Sequence, residues 1–298
     1  MDKFQAMKVF CRVYEADSFK LASDSLGISR PMVTRYVNAI EEELGTKLLQ
    51  RNTRNISVTE AGRKYYQHCV SILDAIEEAE GEIGELTQQP KGLLRISMPM
   101  DFGLSHLVPL INQFSVLYPQ IMLDIEFNDK RIDMTESGVD IAIRGGDLGG
   151  DQFVARPLCY AKGFVCASPE YIKKNGAIND VDDLLNHSCL AYLNATMPYR
   201  WSLTDGSGQV RTVSISGAFS ANNGSTLTQF ALLGMGVIYQ PDFLVEKYLK
   251  TGQLVNLLPN FSGYKIGFYA IYPQRKLLPR KTRLFLDFLQ KALSSTVS

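Results

Sequence analysis

The sequence predicts a multidomain α/β chain. An all-α N-terminal domain with a winged helix-turn-helix comes first, then a long linker helix, then a C-terminal α/β region in two lobes. Three observations predict it. Residues 18–44 carry two helical patterns joined by the turn Gly27-Ile28, with two short strand patterns behind them. Residues 65–86 carry a heptad seam. From residue 92 onward, strand and helix patterns alternate to the end of the chain. At 298 residues the chain is too long for one typical domain and fits two or three.

The first helix is expected over 2–16, where Phe4, Met7, Phe10, Val13 and Tyr14 recur at helical spacing. Ser18 then caps a shorter helix, with Phe19 as a core residue, and Gly27-Ile28 is the turn after it. Ser29 is placed to cap the next helix by accepting from a first-turn N–H, and Pro31 sits where its missing N–H matters least. Val33, Val37 and Ile40 share one face of that helix and should meet a core. Arg30, Met32, Thr34, Arg35 and Asn38 cannot all share that face, so several project outward. The second helix of such a pair enters the DNA major groove. Residues 47–59 follow as two strands around a polar turn carrying Arg51, Thr53 and Arg54, a wing suited to phosphate or minor-groove contact. The expected DNA contacts are therefore Ser29, Arg30, Pro31, Met32, Thr34, Arg35 and Asn38 on the helix, with Arg51, Thr53 and Arg54 in the wing.

From Glu60 the pattern lengthens. Tyr65, Cys69, Ile72, Ile76, Ala79, Ile83 and Leu86 are spaced 4, 3, 4, 3, 4 and 3 residues apart, with acidic residues on the other faces. A helix with one apolar stripe needs a partner, either its own chain or a second copy in a two-stranded coiled coil. Gly81 and Gly84 weaken its C-terminal end. The polar stretch 87–92, with Pro90 and Gly92, is the linker.

The C-terminal region reads as strands at 94–98, 122–127, 140–144, 159–167, 189–193, 201–203, 210–215, 219–221, 236–239 and 266–272. Helices are expected at 107–118, 131–137, from Ser168-Pro169 onward, and at 225–233, 242–250 and 279–293. The order makes two α/β lobes, with the chain returning to the first at about residue 266.

Composition bounds the function. Hydrophobic residues at 45% and charged residues at 21% fit an ordinary soluble globular protein. Net charge is zero, so any basic face must be local; residues 29–64 hold seven Lys/Arg against four Glu. No signal peptide and no apolar run of roughly 18–20 residues is present, which points to a cytoplasmic protein without a membrane partner. The five cysteines are odd in number and lack CxxC spacing, which argues against a disulfide scaffold or a metal site. They read as buried apolar residues, with a redox role for Cys159, Cys166 or Cys189 as the alternative.

Residues 2–60 resemble the DNA-binding domain of LysR-type transcriptional regulators. The resemblance rests on Met7-Lys8-Val9-Phe10, Ser18-Phe19…Ala22…Leu26, Ser29-Arg30-Pro31…Val33-Thr34-Arg35, Ile40-Glu41…Leu44-Gly45…Leu48-Leu49…Arg51…Arg54 and Thr59-Glu60-Ala61-Gly62. The family often has Gln where this chain has Arg30 and Ser where it has Thr34; Arg30 either reads a guanine or holds a phosphate. Beyond residue 90, Phe114…Tyr118-Pro119, residues 138–144, Ala167-Ser168-Pro169-Glu170-Tyr171 and Gly234-Met235-Gly236-Val237 resemble the periplasmic-binding-protein-like effector domain of the same family.

The resemblance implies a DNA-binding domain over 1–59, a dimerisation helix and hinge over 60–91, and an effector domain over 92–298. Its first lobe would span 92–161 and 267–298, and its second lobe 162–266. It implies a two-stranded coil through Tyr65, Cys69, Ile72, Ile76, Ala79 and Ile83, and a dimer or tetramer on an operator in double-stranded DNA, with RNA polymerase as a further partner. A small-molecule effector is expected between the lobes, at strand C-termini and helix N-termini. The converging stretches carry Ser97, Met98, Pro99, Met100, Asp101 and Phe102; Arg144 and Gly145; and Asn222, Asn223 and Tyr239. Helix N-termini favour a carboxylate, but Asp101 would repel one unless it pairs with Arg144; otherwise it is a helix cap. No cofactor is expected. Two rival readings are a solute-binding module and a hydrolytic enzyme built on the α/β half. Histidines 68, 106 and 187 lie in separate segments, and no HExxH, P-loop or nucleophile-elbow motif occurs.

Overall fold

A computed structural model describes residues 2–51, 56–83, 90–130, 134, 138–149, 153–274 and 278–294. Thr53, Arg54, nearly all of the helix expected at 131–137, and the side chains of Arg51, Ala79 and Ile83 lie outside the described residues. The chain divides into two compact units near residue 90.

The first unit opens with α1 (Lys3–Ala16), capped by the Asp2 carboxylate, which accepts from the Phe4 and Gln5 N–H groups. Next come α2 (Phe19–Leu26), capped by Ser18, and α3 (Arg30–Leu44). Gly27 joins them at φ 64°, a left-handed conformation that only glycine adopts without strain. Ser29 stands at the cap position of α3, but its side chain makes no capping hydrogen bond, contrary to the expectation from sequence. The wing strands β1 (Leu49–Arg51) and β2 (Ile56–Val58) pair antiparallel, Leu49 opposite Val58, and lead into α4 (Glu60–Ile83). Phe10, Val33, Val37, Ile40, Leu48 and Leu49 are among the fully buried side chains of this unit.

The wing is fastened at its base. A Cβ on Gly62 would lie 2.1 Å from the Leu48 carbonyl oxygen, so the first turn of α4 can sit against the residue that precedes β1 only because residue 62 is glycine. Thr59 Oγ1 accepts from the Gly62 N–H at 2.9 Å. The first two seam positions need correction. Cys69 is fully buried in the unit's own core, and the Tyr65 ring lies against Phe10 with centroids 5.5 Å apart. The N-terminal turns of α4 are thus covered by α1, where Tyr66 also stacks on Tyr14 at 3.8 Å. Ile72 stays exposed and Ile76 half-buried.

Glu41, on the inner face of α3, is the only buried carboxylate among the described residues of this unit, with 3% of its surface exposed. Its Oε1 accepts from the Leu48 and Leu49 N–H groups, both at 3.0 Å, and its Oε2 from Lys47 Nζ at 2.6 Å. Burial pushes the carboxyl upward, but Lys47 and the Leu49 and Leu48 N–H groups outweigh burial and hold it below the ordinary glutamate value.

The second unit begins with β3 (Gly92–Met98), the one-turn α5 (Met100–Phe102), a π-helical turn (Gly103–Leu107) and α6 (Val108–Leu117). Then follow β4 (Ile121–Phe127), β5 (Ile141–Gly145), the long β6 (Phe153–Ala167) and α7 (Pro169–Asn175). A 3₁₀ segment (Val181–Asn186) precedes β7 (Ala191–Tyr192), β8 (Arg200–Thr204), β9 (Val210–Ser214) and β10 (Ser220–Ala221). The chain continues through α8 (Gly224–Leu232), β11 (Ile238–Pro241), α9 (Asp242–Lys250), β12 (Val255–Asn256), β13 (Lys265–Pro273) and α10 (Arg280–Ser294). One seven-stranded sheet orders β11-β6-β13-β5-β3-β4, with β12 beside β6. The lower half of β6 pairs only with β13, whereas residues 163–167 meet β11 and β12, so β6 crosses from one lobe to the other and β13 returns alongside it.

Replacing Glu41 by Gln is expected to destabilise the first unit by about 1–3 kcal/mol and to speed hydrogen exchange at the Leu48 and Leu49 amides. Because the folded-state pKa is depressed, the stabilisation is complete above about pH 4.3 and is lost as pH falls through the lower folded-state value. Exchange measured by NMR against pH checks both; unchanged protection in Glu41→Gln would contradict the assigned role.

Candidate nucleic-acid interface and effector cleft

On α3, Val33, Val37, Ile40 and Glu41 are buried, which turns Arg30, Pro31, Met32, Arg35 and Asn38 to solvent, with Thr34 half-exposed beside them. Neither Arg30 nor Arg35 forms an ion pair among the described residues. Two unpaired guanidinium groups on the outer face of a helix-turn-helix's second helix present the donors that guanine edges and phosphates accept. The Arg51 backbone closes β1, pairing with Ile56 at the base of the wing turn.

In the second unit, the cleft lies where the C-terminal ends of β3, β4 and β5 face the start of α8. Ser97 is fully buried, and its Oγ accepts from Arg144 Nη2 at 2.7 Å. Arg144 Nη1 donates to the Ile143 carbonyl at 2.6 Å, while Nε, also buried, has no partner among the described residues. Burial lowers the guanidinium pKa, against the opposing pull of Asp129 and Glu126. Asp129, just beyond β4, accepts from the Met100 N–H at 3.2 Å, and burial raises its carboxyl above the ordinary range. Arg144 is thus held by Ser97 and the Ile143 carbonyl, with Asp129 and Glu126 as the carboxylates whose charges act on it.

Asp101 reaches across to the other lobe. It accepts from the backbone N–H groups of Gly224 (2.9 Å) and Ser225 (3.1 Å), from Ser225 Oγ (2.5 Å) and from Asn223 Nδ2 (3.3 Å). The helix it caps is thus α8, not its own. Asn223 in turn caps α8 through Thr226, and Asn222 supplies its carbonyl to Asn194 Nδ2 at 3.1 Å.

Other expected site residues fall elsewhere. Met98 is completely buried. Phe102 is buried in an aromatic stack with Phe268 at 3.8 Å and His106 at 4.9 Å. Tyr239 is a core residue of the second lobe: its hydroxyl donates to the Ser202 carbonyl and accepts from the Tyr264 N–H, and its ring lies 5.4 Å from Trp201. Pro99, Met100 and Gly145 remain at the cleft rim, none of them fully buried. One group, Asp129, was missed. Asp129 follows β4, and burial together with the charge of Asp129 pushes the Tyr192 phenol up to about 12. The Gln240 amide is buried, with Nε2 unpartnered among the described residues. Asp129 was findable, since it follows the C-terminal end of a parallel strand. All five cysteines are buried free thiols, and burial pushes Cys166 and Cys189 up to about 12. Among the described residues no helix is long and apolar enough to cross a membrane.

Two family models match the chain. One, described as a bacterial regulatory helix-turn-helix protein of the lysR family, matches residues 4–63; the other, a LysR substrate binding domain, matches residues 87–294. An uncharacterized HTH-type transcriptional regulator of Haemophilus influenzae is 37% identical, covering 97% of this chain and all of that one. The solved structure of CrgA, a LysR-type transcriptional regulator from Neisseria meningitidis, is 34% identical with a TM-score of 0.63, covering 97% of this chain and 98% of that one. The full-length Vibrio cholerae activator AphB is 26% identical with a TM-score of 0.62, covering 97% and 99%.

Proposed function

The chain belongs to the LysR family of helix-turn-helix transcriptional regulators, and from that premise we propose which of its residues carry the family's function. Members bind DNA and small-molecule effectors, form oligomers, and are transcriptional regulators rather than enzymes. The DNA-binding domain is 1–59, the linker and dimerisation helix 60–91, and the effector domain 92–298, acting in the cytoplasm with RNA polymerase as the partner that reads the outcome.

The observation that carries the reading is the outer face of α3, where Arg30 and Arg35 stand exposed, with no ion pair among the described residues, above a core of Val33, Val37 and Ile40. Ser29, Pro31, Met32, Thr34 and Asn38 complete the contact surface in the major groove, and the wing turn, with Arg51, Thr53 and Arg54, meets the flanking backbone. Two such domains are joined by the C-terminal part of α4 through Ile72, Ile76, Ala79 and Ile83, which matches a two-fold operator. Tyr65 and Cys69 belong to each domain's own core and take no part. The effector enters the inter-lobe cleft of the second unit beside Ser97, Arg144, Asn222 and Asn223. By binding one lobe arrangement better than another, it shifts a pre-existing equilibrium.

Arg35→Ala separates two modes of contact. If Arg35 reads a base, the variant loses about 1–3 kcal/mol at one operator position and relaxes specificity there. If it holds a phosphate, binding weakens on all sequences and the salt dependence falls by about one charge. A titration on operator and random DNA at two salt concentrations distinguishes them; undiminished binding on both would refute the assignment. Ile76→Asp is expected to convert the linker-mediated dimer into a smaller species by light scattering, and an unchanged mass would remove the coil.

A further inference from the structure

The cleft carries an unusual charge arrangement. The N-terminus of α8, nine residues long, is where aligned backbone dipoles and free N–H groups favour an anion. That place is already filled from the opposite lobe. Asp101 Oδ2 takes the Gly224 and Ser225 N–H groups, and Oδ1 takes the Ser225 hydroxyl. The approach depends on Gly224: a Cβ there would stand 3.0 Å from Asp101 Oδ2 and 2.9 Å from Gln240 Oε1. The same spot is thus hemmed by the Gln240 amide, 3% exposed and with Nε2 unpartnered among the described residues. Arg144 is held by Ser97 and the Ile143 carbonyl, whereas Asp101 takes its donors from the α8 terminus, so that terminus is what compensates the Asp101 charge.

We propose that Asp101 is the specificity-determining residue of the cleft: it stands where an effector carboxylate would bind at the α8 N-terminus, and so excludes carboxylates and other small anions. This rests on the reading that the effector occupies the inter-lobe cleft. The exclusion has two parts. A second carboxylate would find the Gly224 and Ser225 donors occupied, and it would meet the charges of Asp101 and Asp129 at short range in a partly desolvated cleft. The effector of this protein therefore brings no anionic group to α8. It is an uncharged or cationic polar molecule. Removing the Asp101 carboxylate frees the donors and converts the cleft into an anion site.

The test uses the full-length protein and two variants, Asp101→Ala and the isosteric Asp101→Asn. Each is titrated calorimetrically at constant ionic strength with acetate and benzoate, and with acetamide and benzamide as uncharged counterparts. Wild type is expected to show no preference for the carboxylates. Asp101→Ala is expected to bind a carboxylate about tenfold more tightly than its amide, with Asp101→Asn changed in the same direction by less. Trp201 emission reports whether the second lobe remains folded, and if Asp101→Ala fails that check Asp101→Asn decides. Equal carboxylate binding by wild type and variants, or no gain in either folded variant, overturns the proposal. Each gained carboxylate is then added to the operator complex. A gain in binding that alters that complex supports both readings. A gain that leaves the complex unchanged supports the role of Asp101 and contradicts the cleft as the regulatory effector site.

Discussion

The buried carboxylate of Glu41 fixes the geometry on which DNA recognition depends. Reading a groove requires the second helix of the motif and the wing to hold a constant spacing, yet the wing is only two three-residue strands. Such a hairpin is marginal alone. Here its first strand is bound to the inner face of α3 by two N–H groups donated to one oxygen, and Lys47 closes the other. Removing a charge from water costs several kcal/mol unless it is fully hydrogen-bonded, and three donors meet that condition. Gly62 completes the fastening by letting α4 press against Leu48 at the foot of the wing.

A comparable device recurs in the effector unit. Arg144 is buried and held by Ser97, and Asp101 is held by the first turn of a helix in the other lobe. Charged groups thus define both halves of the cleft, while the aromatic side chains Phe102, Tyr239 and Trp201 serve packing. The crossing of β6 and β13 between lobes gives the two faces a common sheet, so a change at the Asp101 contact has a direct mechanical route to the relative position of the lobes.

Local pattern carried most of the fold into the sequence. Helical spacing of Val33, Val37 and Ile40 predicted the buried face of α3, and the strands at 122–127 and 266–272 lie within β4 and β13. What escaped the sequence was non-local. The heptad pattern at Tyr65 and Cys69 was real, but periodicity names a face and not the partner that covers it; α1 of the same chain covers that one. Asp101 was recognised as a cap or an ion-pair partner, but a cap 122 residues away in sequence has no local signature. Tyr239 was drawn to the cleft by its neighbours in sequence, whereas its hydroxyl turns into the lobe core. The β12 strand, two residues long, has too little pattern to detect. The Glu41 contact is likewise invisible in a run of three glutamates, only one of which faces inward.

The outer face of α3 is the surface proposed to read a specific DNA sequence. The most direct measurement is a gel-shift titration of the full-length protein on DNA from just upstream of its own gene, with random DNA as competitor. A retarded complex that survives a large excess of competitor is the predicted result. Binding of the two DNAs with equal affinity, abolished together by competitor and by salt, would contradict it.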